Sequence, residues 1–284
     1  MNKVLACVDR SVYAQSVCDH AAWAALRLGV PLEFLHVLNR RSETAATHDL
    51  SGSIGLGSQD ALLAELAELD EKRGKLAQQH GRQLLDIVVR AAREKGVAAV
   101  EQRLRHGTLV DTLTDLEKDV GLFVLGKRGE HADFSSLHLG SELERAVRAV
   151  HRPLLVASRE FKPIEKFLIA FDGGETTRKG VDMIAASPLL EGLPCHVVMA
   201  GADTPENRAQ LQWAHEKLAA GGFEVFSSVR PGNAESVIGQ YVTANGIDAL
   251  VMGAYGHSRI RQLIVGSTTT AMIRTCLIPV LLLR

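Results

Sequence analysis

Short apolar runs punctuated by helix-like spacing make up most of this chain. Lys3 to Asp9 (KVLACVD) is one such run, stopping at an aspartate, and from Tyr13 to Leu28 the apolar positions take up the period of a helix. Lys166 to Asp172 (KFLIAFD) repeats that run, and in both places a helical stretch gives way to a proline and a second apolar run, Pro31-Leu-Glu-Phe-Leu-His-Val and Pro194-Cys-His-Val-Val-Met-Ala. Further along, Val120-Gly-Leu-Phe-Val-Leu-Gly126 matches Ile247-Asp-Ala-Leu-Val-Met-Gly253, each followed by a glycine-containing loop, a Gly-Ser pair and a helical pattern. Pro153-Leu-Leu-Val-Ala and Pro279-Val-Leu-Leu-Leu close the two series.

This internal repeat predicts two equivalent α/β domains in tandem, residues 1–158 and 164–284, with a linker from Ser158 to Glu165. Strands that alternate with helices imply an open parallel sheet, because parallel neighbours need a crossover between them. The first copy is longer: Asp9 and Gly126 stand 117 positions apart, against 81 for Asp172 and Gly253. The extra residues lie near 40–80, where a Gly/Ser-rich stretch, Ser51 to Ser58, precedes a charged Ala/Leu-rich segment from Asp60 that is expected to be helical.

Composition narrows the class without naming a function. With 46% hydrophobic and 23% charged residues the chain is globular, and 32 Lys plus Arg against 33 Asp plus Glu leave no overall field to draw it to nucleic acid or an anionic membrane. The cysteines at 7, 18, 195 and 276 form no Cys-x-x-Cys pair and sit in apolar stretches, as reduced packed thiols do. The opening residues read as a strand rather than a secretory signal, and no apolar stretch approaches the roughly 18 residues of a membrane span, so a cytoplasmic location is expected.

Candidate chemistry gathers in the second copy. Gly253 and Gly256 are separated by two residues, Gly256 and Gly266 by nine, and Ser267 and Thr268 follow at once. A glycine closing a strand lets a ligand approach the backbone or supplies a positive φ, and Ser267 is placed to cap the next helix. Such a helix start offers unpaired N–H groups and the positive end of its dipole to phosphate oxygens. Asp172 and Gly253 both fall at carboxyl ends of strands, where open α/β sheets bind ligands.

This arrangement resembles the universal stress protein family, in particular its tandem two-domain members, over essentially the whole chain. The resemblance implies an adenine nucleotide-binding module of Rossmann-like type. It implies ATP, with Mg²⁺ as companion, lined by Phe171, Asp172, Cys195, Met252, Gly253, Tyr255, Gly256, Gly266, Ser267 and Thr268. Asp172 would face the ribose or a phosphate-bound metal. It also implies antiparallel contact between the last strands of the two domains, here residues 153–157 and 279–283, forming a pseudo-dimer within one chain and leaving a further homodimer open.

The first copy departs from the pattern. Ten residues rather than nine precede Gly140-Ser141, Glu142 occupies the place of Thr268, and Glu142 with Glu144 puts carboxylates in the first helical turn, where a phosphate would be repelled. Glu130 and Asp133 add negative charge that Lys127 and Arg128 partly offset, so weak or absent ATP binding is expected there. Gly52, Gly55 and Gly57 have the wrong spacing for a dinucleotide loop, Gly126-Lys127 is followed by Arg128 rather than by the Ser or Thr of a P-loop, and His131, His138 and His151 read as surface residues. Asp172 to Thr177 is loosely similar to a loop of ATP pyrophosphatases but lacks its leading serine and its aspartate. The expected function is a regulatory ATP-binding protein in the stress response, at most slowly hydrolysing, whose nucleotide biases its choice of an unidentified protein partner. The rivals are an adenylate-forming or ATP-hydrolysing enzyme and a nucleotide-free scaffold.

Overall fold

The computed structural model describes residues 3–38, 56–130, 141–254 and 266–284, without the side chains of 56–64 and 141. The first half runs β1 (Lys3–Cys7), α1 (Ala14–Leu28), β2 (Leu32–Leu38), α2 (Leu56–Glu94), β3 (Val100–His106), α3 (Leu109–Leu116), β4 (Val120–Gly126), α4 (Ser141–Ala149) and β5 (Leu154–Ala157). The second half repeats the order with β6 (Phe167–Ala170), α5 (Glu175–Ala185), β7 (Cys195–Ala200), α6 (Pro205–Ala220), β8 (Val225–Arg230), α7 (Ala234–Asn245), β9 (Ala249–Gly253), α8 (Ser267–Thr275) and β10 (Val280–Leu283). The fold is therefore α/β, with two tandem parallel-sheet units as the repeat requires.

The two units share one sheet, in the order β3-β2-β1-β4-β5-β10-β9-β6-β7-β8. Every neighbouring pair is parallel except β5 with β10, which run antiparallel with Val156 opposite Val280, Leu155 opposite Leu281 and Leu154 opposite Leu282. Both strands are buried along their whole length, so each unit covers what would be an exposed, hydrogen-bonding edge of the other. Helices α1, α2, α5 and α6 pack on one face of the sheet and α3, α4, α7 and α8 on the other, each layer over its own apolar cluster. The outer strands β3 and β8 turn polar and charged side chains such as Glu101, Gln102, Arg105, Ser227 and Arg230 to solvent, and the apolar pattern of the sequence does not announce them.

Cations crossing the seam tie the halves further. Lys127, just after β4, donates to the Cys276 carbonyl at the end of α8, and Arg284, just after β10, donates to the Val150 carbonyl at the end of α4. Each half thus supplies a positive charge to the negative end of the other's last helix. Lys127 is buried, and that burial pushes its pKa down. Its commitment to Cys276 corrects the expectation that it offsets acidic charge in the loop after β4.

The linker is also fastened. Ser16 on α1 donates to the Ser158 carbonyl at 2.7 Å, and the ring edge of Phe161 meets His20 at 4.9 Å. His20 has no solvent exposure, its Nδ1 lies 2.7 Å from the Ser16 carbonyl and so carries the proton, and its Nε2 has no partner among the described residues. Burial pushes the His20 pKa below 6.5 despite the backbone acceptor. The unfolded chain therefore takes up the proton first, and the neutral ring contributes stability that is present above pH 6.5 and lost as pH falls through the folded value. Urea midpoints measured across this window should fall with pH in the native chain and fall less in His20→Phe; equal slopes would show that the ring does not titrate with unfolding.

The long insertion holds a difference from expectation. Helix α2 begins at Leu56, so Leu56-Gly-Ser58 belongs to the helix rather than to a loop, and the rest of the Gly/Ser stretch lies outside the described residues. Among the described side chains of α2 the buried ones lie towards its end, where Leu85, Val88, Val89 and Ala92 pack against the sheet.

Candidate functional site

Parallel strands β6 and β9 bring their carboxyl ends side by side, with Ala170 opposite Met252, and the loops that leave them meet two helix starts. After β6 the chain must turn at once into α5. Asp172 makes that turn: its Oδ1 accepts the Gly174 amide at 2.9 Å and the Thr177 hydroxyl at 2.6 Å. Gly173 sits at φ 73°, in the left-handed region that favours glycine. Arg178 donates from Nε to the Gly173 carbonyl at 3.0 Å and lays its guanidinium 4.6 Å from the ring centre of Trp213.

After β9, Gly253 pairs with Leu283 and its carbonyl accepts the Thr269 hydroxyl at 3.0 Å, which pins the first turn of α8 to the end of the strand. The Gly266 amide reaches back to the Ala254 carbonyl at 3.4 Å. Gly266 is the N-cap, with φ −57° and no side-chain cap bond, so Ser267 is the first residue inside the helix and its expected capping role is corrected. Helix geometry leaves the amides of this first turn without intrahelical acceptors, and no acidic residue stands among them. The result is a fixed, electropositive helix end beside the Asp172 turn.

The expected lining residues divide accordingly. Asp172, Gly253, Gly266, Ser267 and Thr268 belong to the two loops and helix starts at this end of the sheet, whereas Tyr255 and Gly256 lie outside the described residues. Met252 reaches the site only by its backbone, since its side chain is buried in the core. Phe171 is likewise buried and stacks on Trp213 with ring centres 6.3 Å apart. Cys195 is not brought to the site: it opens β7 opposite Phe167, the first residue of β6, and thus stands at the amino end of the sheet with no exposure and a thiol pushed up by burial. Arg178 and Thr269 were not singled out from the sequence, because a stacked guanidinium and a backbone-pinning hydroxyl have no motif of their own.

The equivalent place in the first half is built differently. A cavity of about 460 Å³ opens there, lined among others by Asp9, Arg10, His36, Arg128, Glu130 and Glu142. The Asp9 carboxylate is held by the Ser11 amide at 3.0 Å and the Glu130 amide at 3.0 Å, and Arg10 pairs with Glu130 at 2.5 Å. Gly126 serves packing, since a Cβ on it would come within 2.8 Å of the Tyr13 Cβ. Glu142 and Glu144 occupy the first turn of α4, where the second half has uncharged hydroxyl side chains. His151 is exposed beside Glu117, while His131 and His138 lie outside the described residues.

The model of the universal stress protein family matches residues 1–158 and again 163–284. The chain belongs to the universal stress protein family. It is 39% identical over 287 aligned positions to a universal stress protein of Synechocystis sp., with 100% of each chain covered, and 25% identical to one of Mycobacterium tuberculosis over 78% of this chain and 77% of that one. In fold it is similar to the crystal structure of a universal stress protein from Archaeoglobus fulgidus, with a TM-score of 0.71 at 19% identity over 99% of this chain and 97% of the other. Among the described residues no helix of this family member is long and apolar enough to cross a membrane.

Proposed function

We propose that this universal stress protein is a cytoplasmic ATP-binding regulator of the stress response that holds one nucleotide per chain, in its second half. The observation that carries this reading is the start of α8: first-turn amides without intrahelical acceptors, three successive hydroxyl residues after Ser267 and no carboxylate, pinned to the end of β9 beside Asp172. Triphosphate oxygens would take the amides of Ser267 and Thr268 and their hydroxyls. Mg²⁺ arriving with ATP would be held chiefly by the phosphates, with Asp172 the carboxylate at hand. Because that carboxylate already caps the turn into α5, its first task is to shape the loop, which favours binding over the adenylate-forming chemistry considered above. Protein denatured straight after purification, or after incubation with ATP, should release ATP in a ratio near one per chain. Release of no adenine compound under both conditions would remove the proposal in favour of a scaffold, and steady production of AMP with pyrophosphate would favour the enzyme.

The first half is proposed not to hold a polyphosphate. Three carboxylates line its cavity against two guanidiniums, one of them paired with Glu130, and Glu142 stands where the phosphates would need the helix dipole. Replacing Glu142 with Thr, the residue at the corresponding position of the second half, should strengthen ATP binding at the first half by roughly fivefold, the equivalent of about 1 kcal/mol at a helix start. Calorimetric titration of Glu142→Thr in a chain whose second site is blocked checks this; no change in heat would place the obstacle elsewhere in the loop.

A further inference from the structure

Helix α2 is far longer than the sheet needs. Its 39 residues extend about 58 Å, whereas the seven-residue strand β3 beneath it spans about 23 Å. Among the described side chains of α2 none before residue 81 is buried, and those from Glu65 to Arg73 are all exposed. Helices in proteins draw most of their stability from an apolar face that packs against a partner. One exists: Leu66, Leu69 and Leu76 are exposed by 38%, 44% and 53%, and their spacing of three and seven residues places them along one coiled-coil seam. Ile87, 60% exposed, continues the same line.

The charges beside that seam say what covers it. Residues 65–71 carry Glu65, Glu68, Asp70 and Glu71 with no base, and residues 72–82 carry Lys72, Arg73, Lys75 and Arg82 with no acid. The helix is therefore a block of negative charge followed by a block of positive charge of equal size. Two such helices side by side in the same direction would set like charges against each other, whereas an antiparallel pair about a twofold axis near residues 70–72 sets each acidic block against a basic one. In that pairing Leu66 of one copy lies beside Leu76 of the other, and the flank bearing Glu65 and Glu68 meets the flank bearing Lys75 and Lys72. Within one helix the same groups already form the pairs Glu68 with Lys72 and Glu71 with Lys75, both at 2.6 Å and largely exposed, so they remain available at the rim of an interface.

We infer that a second copy of this chain covers this face, through antiparallel pairing of the projecting halves of two α2 helices. A closed twofold contact of this kind is self-complementary and stops at the dimer. It uses a face remote from the β5 and β10 seam, so it joins two whole chains rather than the two halves of one.

Sedimentation equilibrium of the full-length protein up to submillimolar concentration tests the inference. The native chain should behave as a reversible dimer, and Leu69→Lys with Leu76→Lys should weaken it at least about tenfold while leaving the thermal melt of the dilute, dissociated chain unchanged, since neither side chain touches the core. Reversing one block alone, Glu65→Lys with Glu68→Lys, should also give monomer; adding Lys72→Glu and Lys75→Glu should restore the dimer, because only an antiparallel pair regains opposite charges when both blocks are reversed. A native chain that stays monomeric throughout overturns the inference, and so does a dimer indifferent to the leucine substitutions or one that the second reversal fails to rescue. None of these outcomes depends on whether the second half binds ATP.

Discussion

Valine at both Gly253 and Gly266 is expected to lower ATP affinity by more than about 100-fold while the protein remains folded. Gly253 ends β9 and Gly266 caps α8, and in the proposed binding mode they frame the backbone that a triphosphate would approach closely. A hydrogen bond to a charged group is worth about 1.5–3 kcal/mol, so two lost amide contacts amount to roughly 3–6 kcal/mol, or more than two powers of ten in affinity. Gly266 has an ordinary φ of −57°, so valine there acts by occupying the ligand's space rather than by straining the chain. Isothermal titration with ATP, set beside the far-UV circular dichroism of the same variant, measures the effect. An unchanged dissociation constant would remove the site from this end of the sheet.

Leu281→Ala should destabilise both halves together, by about 2–5 kcal/mol. Leu281 is 4% exposed in the middle of β10, where it pairs with Val251 on one side and with Leu155 of the first half on the other. If the shared sheet makes the halves one cooperative unit, a cavity in the second half is felt in the first. The chain carries its own reporters: Trp23 packs over the core of the first half and Trp213 over that of the second. In single-tryptophan variants the two urea transitions should coincide and shift by the same amount. A shift confined to Trp213 would mean that the halves unfold independently.

Much of this architecture was legible in the order of residues, because strands buried on both faces leave unbroken apolar runs and a duplicated fold leaves them twice. KVLACVD and KFLIAFD became β1 and β6, and the two Pro-initiated runs at 153 and 279 became the antiparallel pair at the seam. What failed to register has a physical cause. β3 and β8 lie at sheet edges, with polar side chains facing water, so the signal that marks an inner strand is missing from them. Lys127 was legible as a cation but not in its direction, since its partner is a carbonyl on the far half of the chain. Cys195 was placed by register with the strand end that meets ligand, whereas β7 begins rather than ends there. That Gly253 ends a strand and that a helix starts at Ser267 was readable because such patterns are local, and the stacking of Arg178 on Trp213 was not, because it joins residues 35 positions apart.

Fusion of the halves along β5 and β10 frees them to diverge. Two separate chains meeting through the same strands would always present twin pockets, each bound to change whenever the other did. Here one lobe can keep a phosphate grip and the other can lose it, and their contact survives any dilution because it is covalently tethered. Asymmetry is thereby fixed at translation, and each lobe always meets the same, different neighbour.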